Sequence, residues 1–520
     1  MTSPQELETS VIRLLTGQKL REAAAACDKL NQQFPEYEPG WYTASRLAMA
    51  INEPLLAVRA IDRALLLSPG RPEWLFYRVE CLGALGDLHE ARMTAEKVAD
   101  HLFDSADISA SFAHSLSRLG LYEDSRRHYA QAIKLDPGKS VNHYNLATVE
   151  RFLGNTQGAE AALTRCLKIN PDDEEAHFLR AGLKTQTTDS NNVADLEAAY
   201  ARSEPDPHKR VSICYALSKE LEDMSDFGRS FEYLTEGSAL RRSEFKYTLQ
   251  NDLDAIQAIR DTYTADVFDR RVTGHINAEP IFVIGLPRTG TTLVERILNS
   301  HSVVQSAGEL PTFSVEMIKH CQALGGDAPD KPSDLVPRSI DINFEELGAD
   351  YIASARPKSA TLPHFIDKLP LNFIYAGLIH LALPKAKIVL LERDLMDSCY
   401  AVYKTLFKGI YPFSYDLDEL GRYVLAYRQL VKHWETVMPG VMHVVNYEEL
   451  VTEPKPVVEN LLSYCGLSFE DTCLKYYENK AASTTASAVQ VRDNFFQSSI
   501  GKWRNYEKQL APVAELLGIN

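Results

Sequence analysis

A 34-residue repeat constrains the first half of this chain more than any other feature of the sequence. Prolines, glycines and alanines each recur at this spacing, with Phe103 in place of one proline and Ser125 in place of one alanine. The recurring residues are Pro35, Pro69, Pro137, Pro171 and Pro205, Gly86, Gly120 and Gly154, and Ala23, Ala57, Ala91 and Ala159. The glycine suits a left-handed helix end, the alanine a close helix crossing, and the proline the end of a unit. The pattern predicts stacked helix-turn-helix units that form a superhelix.

The segment 141–172 shows this unit most clearly and closely resembles a tetratricopeptide (TPR) repeat. The family positions are held by Asn145-Leu146-Ala147, Gly154, Ala159 and Pro171. About five repeats are predicted over residues 4–172, followed by less regular helices to about 245, so that 1–245 form a TPR domain. Residues 246–277 are predicted to be a linker helix. The resemblance implies a concave peptide-binding surface; a plain α-helical bundle is the alternative.

The second half begins with a strand, a glycine-containing loop and a helix. The apolar run 280–284 leads into the loop Gly285-Leu286-Pro287-Arg288-Thr289-Gly290-Thr291-Thr292. The spacing is that of a phosphate-binding P-loop, in which backbone N–H groups and a helix N-terminus bind an anion. Thr291 stands where the P-loop lysine is expected, and Arg288 is predicted to supply the positive charge instead. The missing lysine argues against ATP and for another phosphoanhydride-like donor.

From residue 280 onward, apolar strand patterns alternate with helical ones. Strands are predicted at 280–285, 386–392 and 441–446, and helices at 290–300, 371–383, 397–408, 418–437 and 454–465. This alternation predicts an α/β P-loop-like domain with a parallel sheet over residues 278–520. Ligands bind such sheets at the carboxyl ends of the strands. Those ends are followed here by Arg288, Arg393 and Tyr447.

Four ordered motifs resemble the sulfotransferase family, nearest to the tyrosylprotein sulfotransferases. They are the loop 287–292 (5′-phosphosulfate), Leu391-Glu392-Arg393-Asp394 (3′-phosphate), Asn446-Tyr447-Glu448-Glu449-Leu450 (adenine contact) and Gly501-Lys502-Trp503-Arg504-Asn505. The resemblance spans roughly 280–508, and with the repeats the whole chain looks like bacterial TPR-sulfotransferase proteins. It implies 3′-phosphoadenosine 5′-phosphosulfate (PAPS) as the sulfuryl donor and no metal. The donor-binding residues it implies are Arg288, Thr289, Gly290, Thr291, Thr292, Arg393 and Tyr447, with Arg492 as a substitute cation for the 3′-phosphate.

The same resemblance assigns catalytic roles. Lys368 is expected to donate to the bridging oxygen of the donor, Glu309 to take the acceptor proton, and Arg288 to hold the transferred group. Ser487 resembles the active-site serine of the tyrosylprotein branch. Two positions depart from the family: Ala401 replaces the serine that contacts the 3′-phosphate, and Pro311 replaces the arginine that reads acidic residues beside a target tyrosine. The aromatic and acidic segment 411–423 could line the acceptor cleft or be a packed loop before a helix.

Composition narrows the possible partners and compartment. A net charge of −16 argues against broad nucleic-acid binding, which needs a basic face. The eight cysteines form no C-x-x-C pair, so they are predicted to be small buried side chains in a reducing compartment rather than zinc ligands. No apolar run approaches the length of a membrane span. The chain is therefore predicted to be soluble and cytoplasmic.

The leading hypothesis is a PAPS-dependent sulfotransferase that acts on an acceptor hydroxyl, on a peptide or protein and with tyrosine as one candidate. The TPR half would then recognise the acceptor or a partner. Two alternatives stay open. One is a P-loop kinase or NTPase on a TPR scaffold, and the other is a non-catalytic TPR adaptor with a decayed nucleotide domain.

Overall fold

A computed structural model describes residues 3–204, 206–269, 274–325, 331–356, 362–407, 409–479, 495 and 497–519. The chain divides into two compact units, Met1–Asn170 and Pro171–Asn520. The first is called the repeat unit and the second the α/β unit. The predicted domain ranges 1–245, 246–277 and 278–520 stay predictions. The boundary between the two compact units, after Asn170, lies before the first predicted domain boundary, which follows residue 245.

The repeat unit consists of helix pairs in which each helix packs on its neighbour in sequence. The helices are α1 (Pro4–Thr16), α2 (Leu20–Gln33), α3 (Glu38–Ala50), α4 (Pro54–Leu67), α5 (Pro72–Leu85), α6 (Leu88–Val98), α7 (Ala106–Arg118), α8 (Tyr122–Leu135), α9 (Ser140–Leu153) and α10 (Thr156–Ile169). The pairs α1/α2 to α9/α10 are the five repeats that the sequence predicted.

The repeated residues occupy the positions that their chemistry suggested. Gly86, Gly120 and Gly154 have φ angles of 84°, 75° and 81°, the left-handed conformation that ends each first helix. The repeated alanines are completely buried between paired helices. Ser125 takes the same place as these alanines and donates its hydroxyl to the carbonyl of Ala113 at 2.6 Å. A small side chain at this position lets the helices of one repeat approach closely.

The α/β unit begins with a group of helices that we call the helical layer. Its members are α11 (Glu174–Ala181), α12 (Val193–Arg202), α13 (Pro207–Asp223), α14 (Phe227–Ser243), α15 (Leu249–Thr262) and α16 (Ala265–Asp269). Side chains of this layer, among them Tyr215, Phe231 and Ile256, belong to the same buried cluster as Phe282 of the sheet. The helical layer is therefore part of the core of the α/β unit. Within the predicted linker helix 246–277, the described residues form two helices of this layer, α15 and α16.

The sheet has five parallel strands in the order β2-β3-β1-β4-β5. The strands are β1 (Pro280–Gly285), β2 (Val304–Ser306), β3 (His364–Asp367), β4 (Lys387–Glu392) and β5 (Met442–Asn446). The three predicted strands are confirmed as β1, β4 and β5, and the parallel sheet is confirmed with them. Strands β2 and β3 were not predicted, because three or four residues are too few to show a periodic pattern.

Helices cover both faces of the sheet, so the central strands are buried on each side. In β1, Phe282 and Ile284 face the cluster shared with the helical layer, and Ile281 and Val283 face a second cluster. This is the burial expected of a parallel sheet. The remaining helices are α17 (Thr291–Leu298), α18 (Thr312–Ala323), α19 (Leu335–Arg338), α20 (Phe344–Ala355), α21 (Ala376–Ala382), α22 (Leu395–Tyr403), α23 (Leu417–Val437), α24 (Tyr447–Thr452), α25 (Pro454–Cys465), α26 (Asp471–Leu474) and α27 (Glu507–Leu517).

Two predicted helices differ from the observed ones at their ends. The range 371–383 starts as a 3-10 turn, Pro370–Tyr375, before α21. The range 397–408 is observed as Leu395–Tyr403, because the side chain of Asp394 accepts the backbone N–H of Asp397 and caps the helix there. The earlier end places Lys404 at the C-terminal end of α22.

The burial of the cysteines and the lengths of the helices complete the description of the fold. All eight cysteines are buried and reduced, as predicted for small core side chains. Within the described ranges, no helix combines the length and the apolar character that crossing a bilayer requires.

Candidate functional site

Each strand of the sheet is followed by a side chain that can bind or react. Arg288 follows β1, Glu309 follows β2, Lys368 follows β3 directly, Arg393 follows β4 directly, and Tyr447 follows β5 directly. Because the strands are parallel, these five positions lie at the same edge of the sheet. The chain also turns in opposite directions after β1 and after β4, towards β2 and towards β5. Such a change of direction is where ligands bind in open α/β sheets.

The loop between β1 and α17 has a conformation that few residues can adopt. Gly285, Arg288 and Gly290 have φ angles of 144°, 68° and 104°. At Gly290 a β-carbon would lie 2.6 Å from Cδ2 of Tyr447, so a side chain is also excluded by contact. Thr289 stabilises the turn by donating its hydroxyl to the carbonyl of Leu286 at 2.8 Å. Arg288 is held in a left-handed conformation that is uncommon for a non-glycine residue, as often occurs at functional sites.

Arg288, Arg393 and Tyr447 form a cationic corner at the ends of β1, β4 and β5. Arg393 donates to the carbonyl of Arg288 at 3.0 Å and to the carbonyl of Ser499 at 2.7 Å. Its guanidinium lies 4.8 Å from the centre of the Tyr447 ring, and the Tyr447 hydroxyl hydrogen-bonds Ser499 Oγ at 2.8 Å. Burial lowers the pKa of Arg288 to about 10, and the charge of Arg393 lowers it as well. Two adjacent guanidinium groups make this corner attractive to an anion.

Lys368 and Glu309 form an ion pair at the ends of β3 and β2. The Lys368 ammonium donates to Glu309 Oε1 and lies 3.9 Å from Glu295 Oε2 in the loop helix α17. The Lys368 side chain is 2% exposed and that of Glu309 is 43% exposed. Burial raises the pKa of Glu295, an effect that Lys368 opposes. The arrangement brings a buried ammonium and a solvent-accessible carboxylate into direct contact, and their catalytic roles stay predictions.

A second buried acid lies directly before Lys368. Asp367 is fully buried and accepts a hydrogen bond from the Tyr351 hydroxyl at 2.8 Å. Burial raises the pKa of Asp367 to about 7, although the Tyr351 hydrogen bond and the charge of Lys368 act in the opposite direction. Sequence reasoning assigned no role to Asp367, although it directly precedes Lys368, and it did not single out Glu295 in the helix after the loop.

The remaining predicted residues divide into three groups. Thr289 and Thr291 are buried in the loop and the first turn of α17, and Thr292 is half-buried. Ser487 and Arg492 lie outside the described residues. His364 is the first residue of β3 and donates from Nδ1 to the carbonyl of Ala278 at 3.1 Å. It therefore stands at the opposite end of the strand from Lys368, which is the position of a structural histidine.

The surroundings of Ala401 show why its neighbours do not replace a missing hydroxyl. Ser398 is buried and donates its hydroxyl to the carbonyl of Asp394 at 2.8 Å. Cys399 is buried as well, and burial raises the pKa of its thiol to about 12. Both side chains are thus committed to the interior of the fold.

The segment 411–423 is packed against the core close to Glu309. Tyr411 has a φ angle of 57°, and burial raises the pKa of its hydroxyl, with the charge of Glu309 raising it further. Phe413 and Tyr423 stack at 3.7 Å between ring centres. The aromatic side chains of the segment are therefore buried close to the Lys368–Glu309 pair, and the role of the segment in lining an acceptor cleft stays a prediction.

In the part of the chain that the structure describes, no group of three or more His, Cys, Asp or Glu side chains could hold a metal ion. Asp394, the acid that follows β4, accepts the N–H of Asp397 at 2.8 Å. Its carboxylate therefore serves as a helix cap.

Family comparisons agree with the two halves of the chain. Residues 280–471 match the model of the sulfotransferase family, and residues 42–107 and 142–173 match tetratricopeptide repeat models. The chain thus carries TPR repeats in its first half and a sulfotransferase-family domain in its second.

Curated relatives include proteins of both unknown and named function. An uncharacterized protein of Aquifex aeolicus is 34% identical over 380 residues, which cover 72% of this chain and 49% of that protein. A protein-tyrosine sulfotransferase of Drosophila melanogaster is 21% identical over 263 residues, covering 47% of this chain and 50% of that protein. The chain thus spans about half the length of these relatives.

A solved structure, the sulfotransferase domain of the Synechococcus PCC 7002 olefin synthase, overlaps 48% of this chain and 98% of that one. The identity is 19% and the TM-score 0.31.

Proposed function

We propose that this protein is a PAPS-dependent sulfotransferase that transfers a sulfuryl group to a hydroxyl of a peptide or protein acceptor. The match of residues 280–471 to the sulfotransferase family supports sulfuryl transfer itself. The observation that carries the finer proposal is the arrangement at one edge of the sheet. The Arg288–Arg393–Tyr447 corner lies at the ends of β1, β4 and β5, and the Lys368–Glu309 pair lies at the ends of β3 and β2.

In this proposal the cationic corner binds the donor. A bisphosphorylated nucleotide presents two anionic groups and an aromatic base, and the corner offers two guanidinium groups and an aromatic ring. The loop N–H groups and Arg288 would hold the 5′-phosphosulfate, Arg393 the 3′-phosphate, and Tyr447 the adenine. The fit supports a nucleotide donor bound by arginine rather than through the lysine of an ordinary P-loop.

The transfer itself needs a proton acceptor and a group that stabilises the leaving oxygen. Glu309 takes the proton of the acceptor hydroxyl while that oxygen forms a bond to sulfur. The bond between sulfur and the bridging oxygen breaks, and the electron pair stays on that oxygen as part of the departing phosphate. Lys368 donates to the bridging oxygen as its negative charge develops. The closeness of the two side chains keeps both near one reaction centre.

The acceptor is proposed from the repeats and from the named relative. Five TPR repeats offer a surface for an extended peptide or protein, and the Drosophila relative is a protein-tyrosine sulfotransferase. Tyrosine is therefore one candidate acceptor. Pro311 stands where the tyrosylprotein branch carries an arginine that reads acidic residues beside the target. The proposal therefore includes no preference for acidic residues around the acceptor.

Calorimetry on the full chain tests the donor assignment. We expect PAP, the desulfated product of PAPS, to bind equally well with EDTA and with magnesium. Binding of ATP only in the presence of magnesium would instead favour the kinase or NTPase alternative. Sulfate transfer from PAPS to a tyrosine-containing peptide then tests catalysis. PAP binding without transfer to any hydroxyl acceptor would favour the non-catalytic adaptor.

A further inference from the structure

Lys404, at the C-terminal end of α22, lies among charged groups from three other parts of the α/β unit. Its ammonium is 2.9 and 3.1 Å from the two carboxylate oxygens of Glu222 and lies 4.7 Å from the ring centre of Tyr400. Burial lowers the pKa of Lys404, and the charges of Lys502 and Arg288 lower it too, whereas Glu222 raises it. Lys404 is therefore close to the donor loop, although it stands in none of the recognised motifs.

Glu222 reaches this place from helix α13 of the helical layer. Its carboxylate accepts the hydroxyl of Tyr400 at 2.5 Å and lies 3.6 Å from the Lys502 ammonium. Burial alone would raise the pKa of Glu222, but the charge of Lys404 and the other contacts bring it below its ordinary value. The Glu222 side chain is 12% exposed and that of Lys404 is 30% exposed. The carboxylate is thus the buried anchor, and the lysine is the partner that solvent or a ligand can reach.

The backbone around this cluster is fixed by a second acid. Asp397 of α22 is buried and accepts the N–H of Gly501 at 2.5 Å and that of Trp503 at 3.3 Å. This contact holds the C-terminal segment that carries Lys502 against the start of α22. Ser499 of the same segment contacts Arg393 and Tyr447. We call Lys404, Lys502 and Glu222 the lysine cluster. This cluster and the cationic corner are therefore parts of one continuous arrangement.

We infer that Lys404 is a further donor-binding residue and that Glu222 is the positioning residue that holds it, an inference that rests on the proposed function. Lys404 follows Ala401 by three residues, so the two lie on the same face of the helix turn. The face of α22 on which Ala401 replaces the family's serine thus carries a lysine one turn later. A phosphate oxygen of the donor is the ligand that suits a partly exposed ammonium on a helix that the segment 499–503 joins to Arg393 and Tyr447.

PAP binding to the full chain tests this inference by calorimetry. Lys404→Ala should weaken PAP roughly ten- to hundredfold, the effect of losing one charge-assisted hydrogen bond, and Lys404→Arg should retain most of the affinity. Lys319→Ala is the matched control, because Lys319 also contacts both oxygens of a buried glutamate, at 3.0 and 3.2 Å, but lies on α18. It should leave PAP affinity unchanged. Thermal melts check that each variant is folded.

A second ligand locates the phosphate that Lys404 contacts. AMP carries only the 5′-phosphate, so a loss seen with PAP but not with AMP assigns Lys404 to the 3′-phosphate. An equal loss with both ligands assigns it to the 5′ side. If folded Lys404→Ala and Lys404→Met bind PAP like the unmodified chain, the inference is wrong while the proposed function stands. If the unmodified chain binds no PAP, it is the proposed function that fails.

The variant Glu222→Gln tests whether Glu222 positions Lys404 for donor binding or only stabilises the fold. Among the described residues, the charged groups that act on Lys404 are Glu222 from α13, Lys502 from the C-terminal segment and Arg288 from the loop, with the hydroxyl of Tyr400 on its own helix. Removing the negative charge of Glu222 lowers the pKa of Lys404 further, because Lys502 and Arg288 are both positive. PAP affinity of Glu222→Gln should therefore begin to fall at a lower pH than in the unmodified chain. An unshifted pH profile would overturn the positioning role.

Discussion

The repeat unit and the α/β unit bring their residues together over very different distances along the chain. In the repeat unit, each helix packs on the one next to it in sequence, and the same glycine, alanine and proline positions recur every 34 residues. In the α/β unit, Arg393 meets Arg288 across 105 residues and Lys404 meets Glu222 across 182. Local structure can therefore be read from local sequence in the first unit, whereas the site of the second depends on the completed fold.

The largest effect is expected when the helical layer is removed from the α/β unit. A chain that starts at residue 278 loses the helical layer, and with it buried side chains that include Tyr215, Phe231 and Ile256. Each such side chain contributes about 1.5–3 kcal/mol, so losing several should exceed the whole stability of the unit. We expect residues 278–520 to show no cooperative thermal transition by circular dichroism and no PAP binding.

A chain of residues 171–520 is the control for this deletion, because it keeps the complete α/β unit. It should melt cooperatively and bind PAP like the full chain. Cooperative melting of residues 278–520 together with PAP binding would contradict the inclusion of the helical layer in this unit.

The next largest effect is expected at the catalytic pair. Glu309→Gln preserves the volume but cannot take a proton at neutral pH, so turnover should fall about 10²–10⁴-fold while PAP affinity is kept. The measurement is the rate of sulfate transfer from PAPS to a hydroxyl acceptor, with PAP affinity determined by calorimetry.

An acceptor whose hydroxyl is already acidic, such as a nitrophenol, distinguishes the two members of the pair. It should restore much of the rate of Glu309→Gln, because less proton abstraction is needed. It should not restore Lys368→Ala, in which the bridging oxygen has lost its donor. Normal turnover of Glu309→Gln with an ordinary alcohol would refute the assignment of the base.

Arg288 should produce an intermediate effect that is confined to donor binding. Arg288→Ala removes a charge-assisted contact worth about 1.5–3 kcal/mol, so PAP should bind roughly ten- to hundredfold more weakly. Arg422→Ala provides the control, since Arg422 is a half-exposed arginine whose ion pair is with Asp418 of its own helix. Calorimetry that gives the same PAP affinity for Arg288→Ala and Arg422→Ala would contradict the role of the loop arginine.

The smallest effects are expected in the repeat unit, where two glycines of one helix hairpin can be compared. Gly86 has a φ angle of 84°, and a β-carbon there would meet no neighbouring atom, so Gly86→Ala should cost about 1–2 kcal/mol through backbone strain alone. Gly83 lies inside α5 with equally open surroundings, so Gly83→Ala should stabilise by about 0.5–1 kcal/mol. Urea unfolding measures both.

PAP affinity should be unchanged by either glycine substitution, because neither residue lies in the α/β unit. A change in PAP affinity would show that the two units are energetically coupled.

The repeats and the longer strands could be predicted because their patterns are local. Five helix pairs, the left-handed glycines and the buried alanines follow from one period, and β1, β4 and β5 stand out as apolar runs. Strands β2 and β3 could not be recognised, since Val304–Ser306 and His364–Asp367 are too short to show alternation. Glu309 and Lys368, which follow these two strands, were nevertheless predicted as site residues, through resemblance to a family rather than through periodicity.

The lysine cluster shows what sequence reasoning could not reach. Glu222 lies near the end of helix α13, and Lys404 and Lys502 are separated from it by most of the α/β unit. Only the fold brings these three charges together, and no spacing rule connects them. The proposed roles of Ser487 and Arg492 stay predictions, because both lie outside the described residues.

The position of β1 at the centre of the sheet has a consequence for how the protein is made. As the ribosome releases the chain, each repeat can pack as soon as its second helix has emerged. Strand β1 has no partner until β3 appears some 80 residues later, roughly 4–16 s at 5–20 residues per second. Glu222 waits longer, since its partner Lys404 follows it by 182 residues and Lys502 comes later still. The nascent α/β unit therefore exposes apolar strand and helix surface for much of its synthesis, a period in which chaperones can bind it, while the repeats ahead of it are already folded.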